Sequence, residues 1–310
     1  GSEMCIRDRS GPCREAAPRA ARWCMDILQI LLNGIVLGTL YACIAIGFSL
    51  VWGVLNVINM LHGSFIILGG YLTYFAWHHL GIHPILALPF VAALLFALGY
   101  VLQYVFINKV VSAPVLTTLT LTFGLDMILY NVMTVFFTAT PRRVTLDFGS
   151  VDILGVVMPV DRLIGMALAL LMTAALYVVL RGSRIGRAIV AVRMDRQAAE
   201  LMGIRVNQIY AITFGIGALM AGAAGAIFAM VFPVTTNLTG AFLGKAFVIC
   251  VIGGLGSVPG ALVGGIALGI IESFSGFILG PQHALTVGFV LMLILLLVRP
   301  TGLVGVKGYE

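Results

Sequence analysis

Charged residues are scarce in this sequence: Lys, Arg, Asp and Glu together make up 10% of its 310 residues. Soluble globular domains carry about 25% of these residues, so an ordinary soluble domain is excluded. A disordered chain is excluded as well, because such chains are poor in large apolar residues, whereas 61% of this chain is hydrophobic. A membrane-spanning helix takes about 20 apolar residues, which leaves room for roughly eight to ten spans and no separate catalytic domain.

Patterns for metal, disulfide and nucleotide binding are also lacking. The five cysteines form no CxxC pair, and no histidine is spaced to complete a metal site with them. Cys43 and Cys250 lie in apolar segments and are expected to be small packing residues. Residues 240–246 resemble a phosphate-binding loop, but only three residues separate the two glycines and alanine follows Lys245. We therefore expect no metal, no cofactor and no ATPase site in this chain, and hence no enzyme.

Positive charge is concentrated in one short loop. The net charge is +6, and six of the 18 basic residues fall between Arg181 and Arg205. A basic cluster between apolar segments marks the cytoplasmic side of a membrane protein, so we expect residues 181–208 to be cytoplasmic. A nucleic-acid-binding protein would instead spread its basic residues along a folded surface, so nucleic acid is not expected as a partner.

The position of this loop predicts the sides of the other connections. Arg299 and Lys307 place the C-terminus on the cytoplasmic side. Residues 138–162 are then expected outside, and the five apolar segments before the loop put Met25 outside as well. A re-entrant segment at 52–66 would reverse the side of Met25.

Nine apolar segments follow a polar N-terminal stretch. Residues 1–24 are rich in arginine and aperiodic, and the apolar stretch behind them is too long for a signal peptide. We expect 1–24 to be a non-native or disordered extension and residues 25–310 to form a single domain. The apolar segments are 27–51, 61–77, 85–107, 114–137, 163–180, 209–232, 242–255, 258–279 and 284–298. Glycine-rich strings interrupt them, so the predicted fold is an all-α polytopic membrane protein with roughly eight to ten transmembrane helices, some broken or re-entrant.

The basic loop contains an amphipathic pattern. At about 100° per residue, apolar side chains collect on one helix face and charged side chains on the opposite face. The apolar face holds Met194, Ala198, Leu201 and Met202, and the charged face holds Arg193, Arg196 and Glu200. We predict a short cytoplasmic helix within residues 193–204; the alternative is an interfacial helix that lies among lipid headgroups.

Ionisable residues inside apolar segments are costly to insert and are therefore candidates for function. Asp126, Lys245 and Glu272 belong to this class. Alternatively, Lys245 could extend its long side chain to the membrane surface, and Glu272 could be a buried acid bonded to a neighbouring helix.

A polar break separates the first two apolar segments. Asn59, His62 and Gly63 lie in the string Asn-Met-Leu-His-Gly. A glycine can open a helix there and leave polar groups facing a cavity. A loop histidine at the membrane surface is the alternative.

The basic loop also resembles a motif of one transporter class. Permease subunits of bacterial ABC importers carry the pattern Glu-Ala-Ala-xxx-Gly in a cytoplasmic loop. Gln197-Ala198-Ala199-xxx-Gly203 matches this pattern with Gln in place of Glu. The resemblance implies that Gln197, Ala198, Ala199 and Gly203 belong to a coupling helix that docks on an ATPase subunit.

Four strings along the chain are similar to the branched-chain amino acid ABC permeases of the LivH type. They lie at residues 33–42 (NGIVLGTLYA), 59–63 (NMLHG), 245–261 (KAF followed by GGLGSVPGA) and 299–303 (RPTGL). The similarity covers Met25 to Gly305. It implies the membrane-spanning permease subunit of an importer for branched-chain or related aliphatic amino acids, located in the bacterial inner membrane.

The same resemblance implies a set of partners and a translocation path. The partners are two cytoplasmic ATPase subunits, a homologous second permease, an extracytoplasmic substrate-binding protein and membrane lipid. Asn59, His62 and Gly63, together with Lys245 and Glu272, become candidates for the path.

Other functions stay open at this point. Related permeases for urea, short amides or sugars share the architecture. A stand-alone secondary carrier would need inverted repeats and a coupling-ion site, and the sequence has no convincing internal repeat. A structural or assembly membrane protein would explain the glycine rows but not the four strings.

Overall fold

The structure is a computed structural model that describes residues 19–111, 113–146, 149–153, 156–298 and 302–303. Most of the predicted extension, residues 1–18, lies outside this part of the chain, and residues 19–24 form the start of the first helix. Arg299 and Lys307 also lie outside the described residues.

Eleven α-helices and one β-hairpin make up most of the described residues. The helices are α1 (Arg19–Leu55), α2 (Leu61–Leu80), α3 (Pro84–Val105), α4 (Val115–Phe137), α5 (Val160–Gly182), α6 (Arg184–Met194), α7 (Arg196–Leu201), α8 (Val206–Val231), α9 (Thr239–Gly253), α10 (Val258–Ile278) and α11 (Ala284–Val298). The antiparallel strands are β1 (Ser150–Ile153) and β2 (Val156–Pro159). The predicted all-α membrane fold is confirmed.

Each of the nine predicted apolar segments forms the body of one helix. Within the described residues, eight helices are long and apolar enough to cross a membrane: α1, α3, α4, α5, α8, α9, α10 and α11. The ninth helix, α2, has 20 residues and carries His62, Ser64, His78 and His79 among its apolar residues. The predicted number of spans therefore agrees with the structure.

Small residues hold the centre of the bundle together. In α1 and α8, 89% of the spanning residues are buried. Gly265 and Gly269 of α10 lie against the α1 backbone at Ala42 and Gly38, and a side chain at either position would collide with it. Such close approach of backbones stabilises helix pairs in lipid, where no hydrophobic drive holds them together.

One face of the bundle, called the loop face here, carries α6 and α7. The last turn of α1 and the α9–α10 turn at 254–257 reach the same face, because a Cβ on Gly256 would lie 3.0 Å from Gly53 Cα and 3.3 Å from Arg193 Nη2. The N–H of Leu303 donates a 2.8 Å hydrogen bond to the carbonyl of Ile252. The described C-terminal residues therefore lie on the loop face.

The opposite face carries the β-hairpin and is called the hairpin face. Arg162 Nη1 donates to Asn33 Oδ1 of α1 at 3.2 Å, and Arg143 forms an ion pair of 2.9 Å with Asp161. The part of α1 around Asn33 and the connection before α5 therefore lie together on this face.

Candidate functional site

The charged residues of α9 and α10 form an ion pair inside the bundle. Lys245 Nζ lies 2.7 Å from Glu272 Oε1, and the two side chains are 17% and 11% exposed. Lys245 also donates to the hydroxyl of Tyr41 on α1, and its ammonium lies 4.3 Å from the centre of that ring. The lysine is thus directed into the bundle toward an acid, and the alternative that it extends to the membrane surface is wrong.

A small cavity adjoins this ion pair. Its volume is about 10 Å³, close to the minimum for one water molecule. Its apolar lining consists of Val248, Leu268, Ala284, Gly288 and Phe289. Glu272 Oε2 is buried and has no hydrogen-bond partner among the described residues. A buried carboxylate oxygen calls for a donor, so this point can accept one from water or from a bound polar group.

The second helix begins inside the bundle and not at its surface. His62 lies in the first turn of α2, is fully buried and donates from Nε2 to the carbonyl of Ile44 at 2.9 Å. Ile44 precedes the end of α1 at Leu55 by 11 residues, which is about 16 Å along a helix axis. Residues 56–60 therefore run back along α1 without helical structure. The alternative of a surface-loop histidine is wrong.

Asn59 and Gly63 shape this break. Asn59 Oδ1 accepts a hydrogen bond of 3.1 Å from the N–H of Leu61 and so stabilises the first turn of α2. Gly63 packs on the carbonyl oxygen of Thr239, the first residue of α9, with no space for a side chain. Asn59 Nδ2 is buried without a hydrogen-bond partner among the described residues, as is Nδ1 of the neighbouring histidine.

The break before α2 does not change the order in which the helices alternate between the loop face and the hairpin face. After starting inside the bundle, α2 continues to the hairpin face, where Tyr71 donates its hydroxyl to the carbonyl of Thr138 at 3.2 Å. The segment at 52–66 therefore does not reverse the side of α1.

A second buried polar contact joins α2 to α4. Ser64 donates its hydroxyl to Asp126 Oδ1 at 2.5 Å, and Thr122 donates to the carbonyl of Ile58 at 2.9 Å. The sequence indicates Asp126 as a costly intramembrane acid, but it gives no signal for the serine partner, because the pairing depends on how α2 and α4 pack. A donor hydrogen bond of this kind is how a buried carboxyl group is satisfied.

The basic loop forms two short helices and not the single helix predicted over 193–204. α6 ends at Met194 and α7 begins at Arg196, because Asp195 adopts an extended backbone conformation. Its Oδ1 accepts a 3.0 Å hydrogen bond from the N–H of Ala198, which is the usual N-cap arrangement. Helical periodicity continues across this cap in the sequence, which is why periodicity alone misses the break.

Gly203 ends α7 for a local reason. Its φ is +81°, its N–H donates to Glu200 at 3.0 Å, and the N–H of Ile204 donates to Ala199 at 3.0 Å. This pair of hydrogen bonds is a Schellman motif, which favours glycine at this position. A Cβ here would meet no atom of the described residues within 4 Å, so the backbone conformation accounts for the glycine without a docking partner.

Large apolar side chains are exposed around α7, outside the candidate spans. Met194, Leu201 and Met202 are 70%, 89% and 82% exposed, whereas Ala199 is buried against the bundle. These three exposed residues, called the α7 patch below, belong to the predicted apolar face.

The structure brings together only some of the predicted residues. Lys245 and Glu272 are in direct contact. Asn59, His62 and Gly63 share one break but contact α1 and the start of α9 instead of the ion pair. Gln197, Ala198, Ala199 and Gly203 lie separately, in or directly after α7 on the loop face. Tyr41, which contacts Lys245, is not among the predicted residues, since an isolated tyrosine in an apolar segment does not indicate a functional site.

Residues 30–298 match the family model described as "Branched-chain amino acid transport system / permease component". The chain is 32% identical over 293 residues to the high-affinity branched-chain amino acid transport system permease protein BraD of Pseudomonas aeruginosa, covering 90% of this chain and 95% of that protein. It is 33% identical over 295 residues to the LivH permease of Escherichia coli K12, again covering 90% and 95%.

A more distant relative comes from an archaeon. The probable branched-chain amino acid transport permease LivH of Methanocaldococcus jannaschii is 25% identical over 298 residues, covering 90% of this chain and 92% of that protein. The family match extends over nearly all of the described helices. The chain therefore belongs to the family of branched-chain amino acid transport system permease components.

Proposed function

We propose that this chain is the membrane-spanning permease subunit of an ABC importer for branched-chain or related aliphatic amino acids. Two cytoplasmic ATPase subunits would supply the energy, a homologous second permease would complete the membrane part, and an extracytoplasmic binding protein would deliver the substrate. The proposal also sets the loop face on the cytoplasmic side and the hairpin face outside, in a bacterial inner membrane. The named transport systems of the relatives support the substrate class.

The α7 patch is the observation that carries the proposed coupling. Met194, Leu201 and Met202 are large, apolar and at least 70% exposed, although they lie outside the candidate spans. Leu201 and Met202 are adjacent in the chain, and exposed apolar side chains grouped in this way favour an interaction site. The surrounding loop holds the greatest concentration of positive charge in the sequence, which favours the cytoplasmic side, where the ATPases would be.

The ion pair between Lys245 and Glu272 is proposed to border the translocation path. It is held between α1, α9 and α10 next to an apolar cavity. An amino acid substrate carries one ammonium and one carboxylate, which match the two charges of the pair. The break at Asn59, His62 and Gly63 is proposed to position α2 along the same path.

Reconstitution tests this function. We expect the purified chain, co-expressed with the ATPase subunits and second permease of its transport system, to retain the ATPases. In proteoliposomes, the cognate binding protein and ATP should drive uptake of labelled leucine, isoleucine or valine. Failure of the chain to retain any ATPase would contradict the proposal.

The choice of substrate needs its own competition experiment. We expect unlabelled branched-chain amino acids to suppress uptake, whereas urea, acetamide and ribose should not. Suppression by one of these three compounds alone would assign the chain to the alternative permease class. Uptake without ATPase subunits, driven by an ion gradient, would instead indicate a stand-alone secondary carrier.

A further inference from the structure

Three parts of the bundle meet at the turn between α9 and α10. Gly254 and Gly256 in this turn have φ values of +102° and +78°, a region that favours glycine. A Cβ on Gly256 would lie 3.0 Å from Gly53 Cα in the last turn of α1, and 3.3 Å from Nη2 of Arg193 on α6. The guanidinium of Arg193 therefore lies directly against the backbone of the turn.

Electrostatics favours an arginine at this point. α1 ends at Leu55 and α9 ends at Gly253, so the guanidinium lies close to the C-terminal ends of two helices. The last carbonyl groups of a helix have no partner within the helix and carry partial negative charge. A planar guanidinium has five N–H donors, which suit a cluster of carbonyl oxygens better than a lysine ammonium does.

The same arginine is tied closely to the α7 patch. Arg193 lies two residues before Asp195, whose side chain caps α7. Ile189 and Val192 of α6 are buried in the bundle, so α6 is packed against the membrane helices. A displacement of α7 would therefore act on the end of α6 and on the side chain of Arg193.

The helix pair α9–α10 carries the ion pair. Lys245 lies on α9 and Glu272 on α10. The two helices cross at Gly253 and Gly260, where each glycine lies against the backbone carbonyl of the other. A movement of the turn displaces both helices, because backbones packed this closely cannot shift independently of each other.

We propose that Arg193 is a positioning residue that couples the α7 patch to the α9–α10 helix pair. In this arrangement, movement of the docked α7 shifts the turn at Gly254–Ser257 and alters the geometry of the ion pair. The inference rests on the proposed function, in which α7 docks on an ATPase. It adds a defined contact through which ATPase movement reaches the membrane helices.

Two substitutions and a matched control test this role in the reconstituted importer. Arg193→Gln removes the charge, and Arg193→Lys keeps the charge but loses the planar donor array. Arg187→Gln is the control, because Arg187 lies on the same helix and donates to the carbonyl of Gly182 within its own loop at 3.3 Å. ATPase retention, basal ATP hydrolysis, stimulation by the binding protein and uptake are measured for each.

For Arg193→Gln we expect normal ATPase retention and basal hydrolysis, but about tenfold lower stimulation and uptake, within the range of measured allosteric couplings. Arg193→Lys should recover part of the loss, and Arg187→Gln should behave as the wild type. Unchanged ATPase retention and basal hydrolysis separate coupling from a structural role, since a merely unstable permease would lose basal hydrolysis and uptake together.

The outcomes that oppose the inference are distinct. Wild-type uptake in both Arg193 variants would overturn it and leave the proposed function intact. Loss of ATPase retention in proportion to uptake would assign Arg193 to docking and also overturn it. If the Gln variant does not accumulate, the Lys variant decides by the same criteria. A wild-type chain that retains no ATPase would overturn the proposed function itself.

Discussion

Lys245 Nζ lies 2.7 Å from Glu272 Oε1, and the two residues come from helices joined by one tight turn. Neither charge is more than 17% exposed. Each therefore depends on the other, because an isolated charge at membrane depth is costly. Single and double substitutions of this pair should therefore change the stability of the protein differently from substitutions of a surface salt bridge.

Removal of one partner should be more harmful than removal of both. Lys245→Met or Glu272→Leu alone leaves an uncompensated charge, and we expect a loss of about 3 kcal/mol in unfolding free energy. The double variant should be closer to the wild type in stability, yet still defective in uptake if the pair borders the path. Thermal unfolding in detergent and uptake in proteoliposomes measure the two effects separately in a double-mutant cycle.

A second ion pair in the same chain provides the control. Glu200→Gln breaks the bridge to Arg196, in which the side chains of Glu200 and Arg196 are 52% and 42% exposed, and should cost less than about 1 kcal/mol. Normal uptake in both single variants of the buried pair would remove it from the translocation path. Equal losses for the buried and the exposed pair would contradict the role of burial.

The α7 patch should determine the affinity for the ATPase. Leu201→Ser removes the most exposed apolar side chain of the patch, at 89% exposure. We expect ATPase affinity to fall at least about tenfold, which corresponds to a loss of about 1.4 kcal/mol for a residue central to an interface. Co-purification with titrated ATPase measures this, and thermal unfolding of the permease should be unchanged.

Val151→Ser is the matched control for the patch. Val151 is also apolar, exposed and outside the candidate spans, but it lies on the hairpin face. Its replacement should leave ATPase affinity unaltered. An equal effect of both substitutions would show that general surface polarity, and not docking at α7, controls the association.

The apolar segments can be predicted from the sequence because length and hydropathy alone define a spanning helix. The contact between Lys245 and Glu272 is one of the options that the sequence leaves open, since an intramembrane charge needs a partner. The break at Asp195 cannot be predicted from the spacing of apolar residues, which continues through this position. The helix ends there because the Asp195 side chain accepts a hydrogen bond from the N–H of Ala198 and so caps a new helix. The serine partner of Asp126 is not predictable either, because 62 residues separate the two.

The starting depth of α2 shows the same limit. The string at Asn59–Gly63 predicts a break, but only the contact between His62 and the carbonyl of Ile44 reveals that the break lies inside the bundle. Packing of distant segments determines this depth, and a local pattern carries no information on it.

Gly203 should tolerate few substitutions even without a partner present. Its φ of +81° costs a residue with a Cβ about 1 to 2 kcal/mol. We expect Gly203→Asn to retain more ATPase than Gly203→Val, because asparagine adopts this conformation more readily than a β-branched residue. Titrated co-purification checks the order of the two variants, and equal retention would contradict the backbone explanation. A bulky substitution such as Gly203→Trp is a poor test of docking, since it would also strain the backbone.

Gly63 should be required for the contact between α2 and α9. A Cβ at this position would collide with the carbonyl oxygen of Thr239, and neither backbone can yield without moving its helix. We expect Gly63→Ala to lower the unfolding free energy by about 1 to 3 kcal/mol, the usual cost of overpacking. Gly124→Ala is the matched control, because Gly124 lies in α4 and a Cβ there would meet no atom within 4 Å among the residues that the structure describes. Alanine at this control position should be neutral or stabilising, since alanine is favoured over glycine in a helix by about 1 kcal/mol.

Thermal unfolding of the Gly63→Ala and Gly124→Ala variants in detergent measures the difference. Equal stability of Gly63→Ala and the wild type would mean that α2 and α9 are not in backbone contact, and it would remove the structural basis for placing the Asn59–Gly63 break beside the path.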